Sequence, residues 1–67
     1  MGNKYKTVCD INENGVAEYG IETLDGAIRI RGISTDKNAI DSLTESFNRF
    51  ELSNIHLHEA VDDFVNT

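Results

Sequence analysis

Residues 12–33 read NENGVAEYGIETLDGAIRIRGI, and this stretch decides the fold. It begins with a turn at Asn14-Gly15 and is cut again at Asp25-Gly26. Asn-Gly and Asp-Gly are hairpin signals, because both members of such a pair tolerate positive φ. Between the turns, residues 16–24 alternate, with Ala17, Tyr19 and Ile21 on one side and Glu18, Gly20 and Glu22 on the other. A period of two marks a half-buried strand. Residues 27–33 alternate as well, Ile28 and Ile30 against Arg29 and Arg31. Upstream, residues 4–11 place Tyr5, Thr7, Cys9 and Ile11 opposite Lys4, Lys6 and Asp10, with Val8 as a mild interruption. Three strands joined by two tight turns predict an antiparallel meander with residues 16–24 in the middle.

One face of that meander collects Tyr5, Ile11, Tyr19, Ile21, Ile28 and Ile30. The other collects Lys4 and Lys6, then Glu18 and Glu22, then Arg29 and Arg31. Acids on the central strand sit between bases on both neighbours, and each such cross-strand pair contributes about 0.2–1 kcal/mol. Neutralising the two glutamates accounts for these bases without a binding patch, since exposed pairs are common and weak. Gly20, in the middle of the central strand, signals a bulge or a close backbone approach. Its sharper alternative is a face left open to a partner.

After Ile33 the period changes. Ser34, Thr35 and Asp36 all suit a helix N-cap. Ile40, Leu43, Phe47 and Phe50 then fall on one helical stripe. Asp41, Glu45 and Arg49 follow another face, where Glu45 and Arg49 form a favourable i,i+4 pair. This helix spans about residues 35–50 and ends near Phe50 or Glu51 without a glycine to stop it. Ser53 caps a second helix at about 54–65, with Leu52 and Leu57 placed as a hydrophobic staple. Its apolar stripe is Leu57, Ala60, Val61, Phe64 and Val65. The fold class is α+β: strands at about 4–11, 16–24 and 27–33, then two helices packed on one face, β-β-β-α-α.

A chain of 67 residues is one domain, 1–67. A domain this short buries only about 60% of its unfolded surface. With no Trp, no Pro and a single cysteine, it has no disulfide to add and little room for a ligand cleft. Burying surface against a second chain is one remedy, so a homodimer is expected among its states. Cys9 reads as a small, half-buried strand residue with no basic neighbour to lower its pKa, and a lone cysteine fits a reducing compartment. The N-terminus has no apolar segment for a leader, and Lys6 stands where a myristoylation signal needs Ser or Thr. No apolar run reaches the length of a membrane span. The expected location is cytoplasmic.

Net charge is −6, unevenly placed. Residues 1–33 carry five acids and four bases, residues 34–67 seven acids and two bases. That argues against direct nucleic-acid binding, which draws its affinity from Lys and Arg on phosphates, and for docking on a basic protein surface. His56, His58, Glu59, Asp62 and Asp63 are the only cluster resembling a metal or acid–base site. On a helix they divide between faces, so no closed four-ligand set forms, and His56–His58 lacks the i,i+4 spacing of a zinc protease. A solvated acidic face is the simpler account. Ser34, Ser42, Ser46 and Ser53 occupy caps or helix surfaces, with no nucleophile elbow, phosphate loop or dinucleotide fingerprint. No catalysis, cofactor or metal is expected.

Tyr19-Gly20-Ile21, Ile33-Ser34-Thr35-Asp36, Phe47-Asn48 and the run from His56 to Phe64 resemble a family of short uncharacterised Firmicutes proteins, a domain of unknown function. The resemblance covers about Tyr5 to Phe64 and implies a small bacterial or mobile-element protein, with no activity or catalytic residue attached.

These features lead to a non-catalytic protein-binding regulator, meeting its partner through Asp41, Glu45, His58, Glu59, Asp62 and Asp63 or through the outer sheet face. A second expectation is a phage-type inhibitor, of the anti-CRISPR kind, whose acidic helices imitate nucleic acid and occupy a basic groove. A third is a small metal-responsive protein built on His56 and His58.

Overall fold

Two glycine-ended turns hold the meander together. In the computed structural model, which describes residues 4–66, the strands are β1 (Tyr5–Ile11), β2 (Ala17–Thr23) and β3 (Arg29–Ser34). They pair antiparallel in the order β1-β2-β3. Helix α1 (Lys37–Arg49) follows, then a 3-10 turn (Asn54–His56) that leads directly into α2 (Leu57–Val65). This is the α+β order that the change of period predicts. Each helix packs on the sheet rather than on the other, α1 across all three strands and α2 against β3. The reading of Met1 and Gly2 as lacking a leader or lipid signal lies outside the described residues.

Neither turn needs two left-handed residues. Only Gly15 (φ 79°) and Gly26 (φ 77°) take positive φ there. Asn12 supplies the rest of the first turn: its backbone N–H donates to the Val16 carbonyl at 2.9 Å. Its side-chain oxygen accepts from Asn14 and Val16 N–H at 2.9 and 3.0 Å. In the second turn the Asp25 carboxylate accepts the Ala27 N–H at 3.0 Å. That backbone bond holds the Asp25 carboxyl below its usual range.

β2 and β3 do not pair evenly. Ile21 faces Ile30, but Tyr19 faces Ser34, so β3 bulges between these pairs. Gly32 turns the bulge with φ 62°. At its base the Ile30 carbonyl oxygen approaches Gly20 so closely that a Cβ there would collide with it. Gly20 is therefore the close-approach glycine that its position predicts.

The bulge also reorders the outer-face charges. Glu22 is bracketed as expected, 3.4 Å from Lys6 and 3.8 Å from Arg29. Glu18 is not: it lies opposite Asp10. The arginines go to Asp10 instead, Arg29 at 3.0 Å and Arg31 at 4.0 Å. Extra residues in β3 carry Arg31 out of register with the central strand.

Tyr5, Ile21, Ile40, Phe47, Leu57 and Val61 form the buried core. The Tyr5 and Phe47 rings meet edge to face, 5.9 Å between centroids. Two residues assigned to the covered face are not covered. Ile11 is 66% exposed, and Cys9 is exposed rather than half-buried. The cause is the path of α1. Its C-terminal end meets Tyr5 through Asn48, its middle meets Thr7 through Thr44, and the helix also packs on β2 and β3. The helix thus crosses from β1 to β2 and leaves the tip of the β1–β2 hairpin bare. Phe50 is also exposed, because α1 ends at Arg49 and Phe50 is its C-cap.

Asp36 is the N-cap of α1, its carboxylate accepting the Ala39 N–H at 3.3 Å. At the other end Leu52 N–H reaches the Phe47 carbonyl at 3.0 Å and Glu51 N–H the Asn48 carbonyl at 3.2 Å. This is a Schellman closure, with Glu51 (φ 51°) at the left-handed position that glycine usually takes. Ser53 precedes the 3-10 turn but makes no side-chain cap bond. The second helix thus becomes fully α-helical only from Leu57.

Two substitutions check this geometry. Glu51→Gly relieves the left-handed strain and should stabilise by about 1 kcal/mol, a rise in Tm of about 4–8 °C. Gly20→Ala should cost about 3 kcal/mol in urea denaturation; a cost under about 0.5 kcal/mol would show that the β3 carbonyl does not press on Gly20.

Candidate functional site

The path of α1 depends on one side chain. Asn48 lies on the last turn of α1, and its amide meets the first residues of β1. Its Oδ1 accepts the backbone N–H groups of Lys4 and Tyr5, both at 2.9 Å. Its Nδ2 donates to the Tyr5 carbonyl at 3.0 Å. A primary amide presents a donor and an acceptor side by side, as a peptide group does. Asn48 therefore takes the place of a neighbouring strand for one residue of β1. The Tyr5 hydroxyl completes the attachment, donating to the Leu52 carbonyl at 2.6 Å beside the Asn54 amide oxygen at 3.0 Å. Burial pushes this hydroxyl's pKa up.

Beyond Tyr5 the edge is open. Leu24 N–H donates to the Lys4 carbonyl and Asn12 N–H to the Val16 carbonyl, so the even-numbered residues of β1 exchange bonds with β2. In an antiparallel ladder the alternate residues then point their N–H and C=O groups the other way. Those residues are Thr7, Cys9 and Ile11. Among the described residues nothing bonds to their outward backbone groups. Thr7 is held only through its hydroxyl, 3.0 Å from that of Thr44.

An open groove of about 600 Å³ lies between this strand and α1. Tyr5 and Thr7 line it on one side and Asp41, Thr44, Glu45 and Asn48 on the other, with Arg49 and Glu51 at one end. The composition predicts little room for a ligand cleft, yet this open groove at the sheet edge has the volume of one.

The expected partner-binding residues fall into two groups. Asp41 and Glu45 border the groove, and each has a cation one turn away. Lys37 lies 2.7 Å from Asp41 and Arg49 lies 3.1 Å from Glu45. The Lys37 bond, helped by Thr7, holds the Asp41 carboxyl below its usual range, and the same contact raises Lys37. His58, Glu59, Asp62 and Asp63 are exposed on α2, which packs against β3 at the opposite edge. Glu59 lies 3.7 Å from His56. The structure brings Asp41 and Glu45 to the β1 edge and keeps the α2 acids apart from them. Among the described residues, no group of three His, Cys, Asp or Glu side chains is placed to hold a metal ion. No helix among them is long and apolar enough to cross a membrane.

The residues that sequence reasoning passed over are Asn48, Thr44 and the backbone of Thr7, Cys9 and Ile11. Thr44 was detectable: it stands one turn after Ile40, on the stripe that meets the sheet, and is buried. Asn48 stands one turn further on. Two polar residues in register beside an apolar stripe signal a contact with backbone.

A model for a family of unknown function (DUF6514) matches residues 3–67, and the chain belongs to that family. Neither the curated proteins nor the solved structures contain a match to it.

Asn48→Ala should destabilise by about 2–3 kcal/mol, since it strands the Tyr5 N–H and carbonyl on a half-buried edge. Asn48→Asp should cost about as much, because a carboxylate cannot donate to that carbonyl. Urea denaturation measures both, and near-wild-type stability in either would show that α1 does not depend on the amide.

Proposed function

We propose that the chain is a small, non-catalytic protein-binding module that takes up an extended segment of protein along the open edge of β1. The observation that carries this is the row of outward backbone groups at Thr7, Cys9 and Ile11 beside the groove. In strand addition, main-chain hydrogen bonds supply affinity and pockets for alternate side chains supply selectivity. The groove lies where alternate side chains of an added strand would project on the α1 side. A non-catalytic role is supported by the sequence, whose serines and histidines form no nucleophile or acid–base arrangement. The resemblance to the Firmicutes family implies a bacterial or mobile-element origin, and the lone Cys9 fits a cytoplasmic setting.

A nucleic-acid mimic would need one continuous anionic surface. Here Lys37 and Arg49 sit against Asp41 and Glu45, and the α2 acids lie over the other sheet edge. The edge is therefore the better-supported surface.

Cys9→Pro tests the proposal. Its N–H points outward, so proline removes a donor that β2 does not use, and edge strands tolerate proline in this orientation. Wild-type chain, Cys9→Pro and the triple variant Glu59→Gln/Asp62→Asn/Asp63→Asn are immobilised and exposed to extract of the source cells. Proteins held by the wild type should be lost from Cys9→Pro and retained by the triple variant. The reverse pattern would move the binding surface to α2 and overturn the edge.

A further inference from the structure

We infer that the strand docking on β1 is β1 of a second copy of this chain, antiparallel and centred on Cys9, joining the two sheets into one. This rests on the reading of the β1 edge as a docking surface and names its occupant.

The open edge has defined limits. At one end Asn48 occupies the bonding position beside Tyr5. At the other, the chain leaves the strand at Asn12, where its turn begins. The far edge of the sheet is guarded: β3 is bulged, turns at Gly32 and carries Arg29 and Arg31. Bulges and charges are the usual means of blunting an edge. Between Thr7 and Ile11 there is neither a bulge nor a proline, and the register with β2 runs unbroken.

One register fits those limits. With the two-fold axis at Cys9, Thr7 faces Ile11 of the second copy, Cys9 faces its counterpart, and Ile11 faces Thr7. Every outward N–H and C=O of the open segment then finds a partner, in about six backbone hydrogen bonds. Moving the axis to Val8 places Ile11 of the second copy where the Asn48 amide already sits. Moving it to Asp10 sets two aspartates directly opposite and leaves Thr7 against a turn. The strand is thus a palindrome in length, stopped at both ends by its own fold.

The side chains agree. On the outer face Lys6 lies diagonally across from Asp10 of the second copy, within reach of a long side chain. Both such contacts pair opposite charges. On the inner face Ile11, 66% exposed in the single chain, comes to rest beside Thr7 of the second copy at the mouth of its groove. The dimer thereby covers Ile11 and Cys9, which α1 leaves bare. A domain of 67 residues with so small a core gains buried surface in the process.

Light scattering on eluting peaks should give twice 7.5 kDa for the wild type. Cys9→Pro, shown folded by circular dichroism, should raise the dissociation constant about 100-fold or more. Val8→Glu, which faces Asp10 of the second copy, should also weaken the dimer, while Val8→Lys should not. Cys9 reports the register. Opposed residues of a hydrogen-bonded antiparallel pair stand about 5.5 Å apart at Cα, within disulfide reach. Mild oxidation, in which two thiols give two protons and two electrons to the oxidant, should therefore link two wild-type chains. Val8→Cys/Cys9→Ser should link far more slowly. A monomeric wild type overturns the inference, as does a dimer that survives Cys9→Pro or one that links faster through position 8. A monomer that still captures another protein lost from Cys9→Pro would overturn this inference alone and leave the edge as a docking surface.

Discussion

The contact between the Asn48 amide and the backbone of Tyr5 governs the rest of the molecule. It fastens the last turn of α1 to the first residue of β1, between segments far apart in the sequence. Tyr5 is then held twice more, by the Phe47 ring and by the Leu52 carbonyl beyond the end of the helix. The Schellman closure at Glu51 is what returns Leu52 to that position. Four local features therefore converge on one tyrosine: a helix face, a helix stop, an aromatic contact and an amide acting as a strand. In a domain with so few buried side chains, losing any of them exposes the others.

What the amino-acid order reveals follows from what kind of rule governs each feature. The three strands and two helices are legible because periods of two and 3.6 are local properties of the chain. The glycines of the turns and Gly20 are legible because only glycine suits them. Coverage is a different matter. Alternation assigns Ile11 and Cys9 to the same face as Tyr5 and Ile21, and they are on that face; whether a helix lies above them depends on where α1 is fastened. The charge ladder divides in the same way. Glu22 meets its two bases because its pairings are regular, while Glu18 does not, because a bulge in β3 displaces Arg31. The left-handed Glu51 was hidden because the residue that usually signals that conformation is absent.

The acidic excess of the second half of the chain looks like a site when counted, and less so when placed. Asp41 and Glu45 sit one turn from Lys37 and Arg49, and exposed i,i+4 pairs of this kind steady a helix by a few tenths of a kcal/mol rather than mark a surface. Of the α2 acids, Glu59 lies 3.7 Å from His56. Their field reaches about a Debye length, roughly 8 Å at physiological salt. A field of that range acts on encounter rates more than on affinity.

The closed and open parts of β1 have a common origin. With Asn48 on Tyr5 and Thr44 on Thr7 of β1, and with contacts to β2 and β3 besides, α1 runs obliquely across the sheet. An oblique helix of this length covers Tyr5 and Thr7 and cannot also cover Cys9 and Ile11. The amide that satisfies the edge at Tyr5 therefore commits the helix to a course that leaves the edge bare four residues later. Sheets usually protect such an edge with a bulge, a proline or charges, and β3 carries a bulge and two arginines. Between Thr7 and Ile11, β1 has neither a bulge nor a proline. One edge of this small sheet is thus blunted by its own strand, while the other is left to whatever α1 covers, and α1 stops short of Cys9 and Ile11.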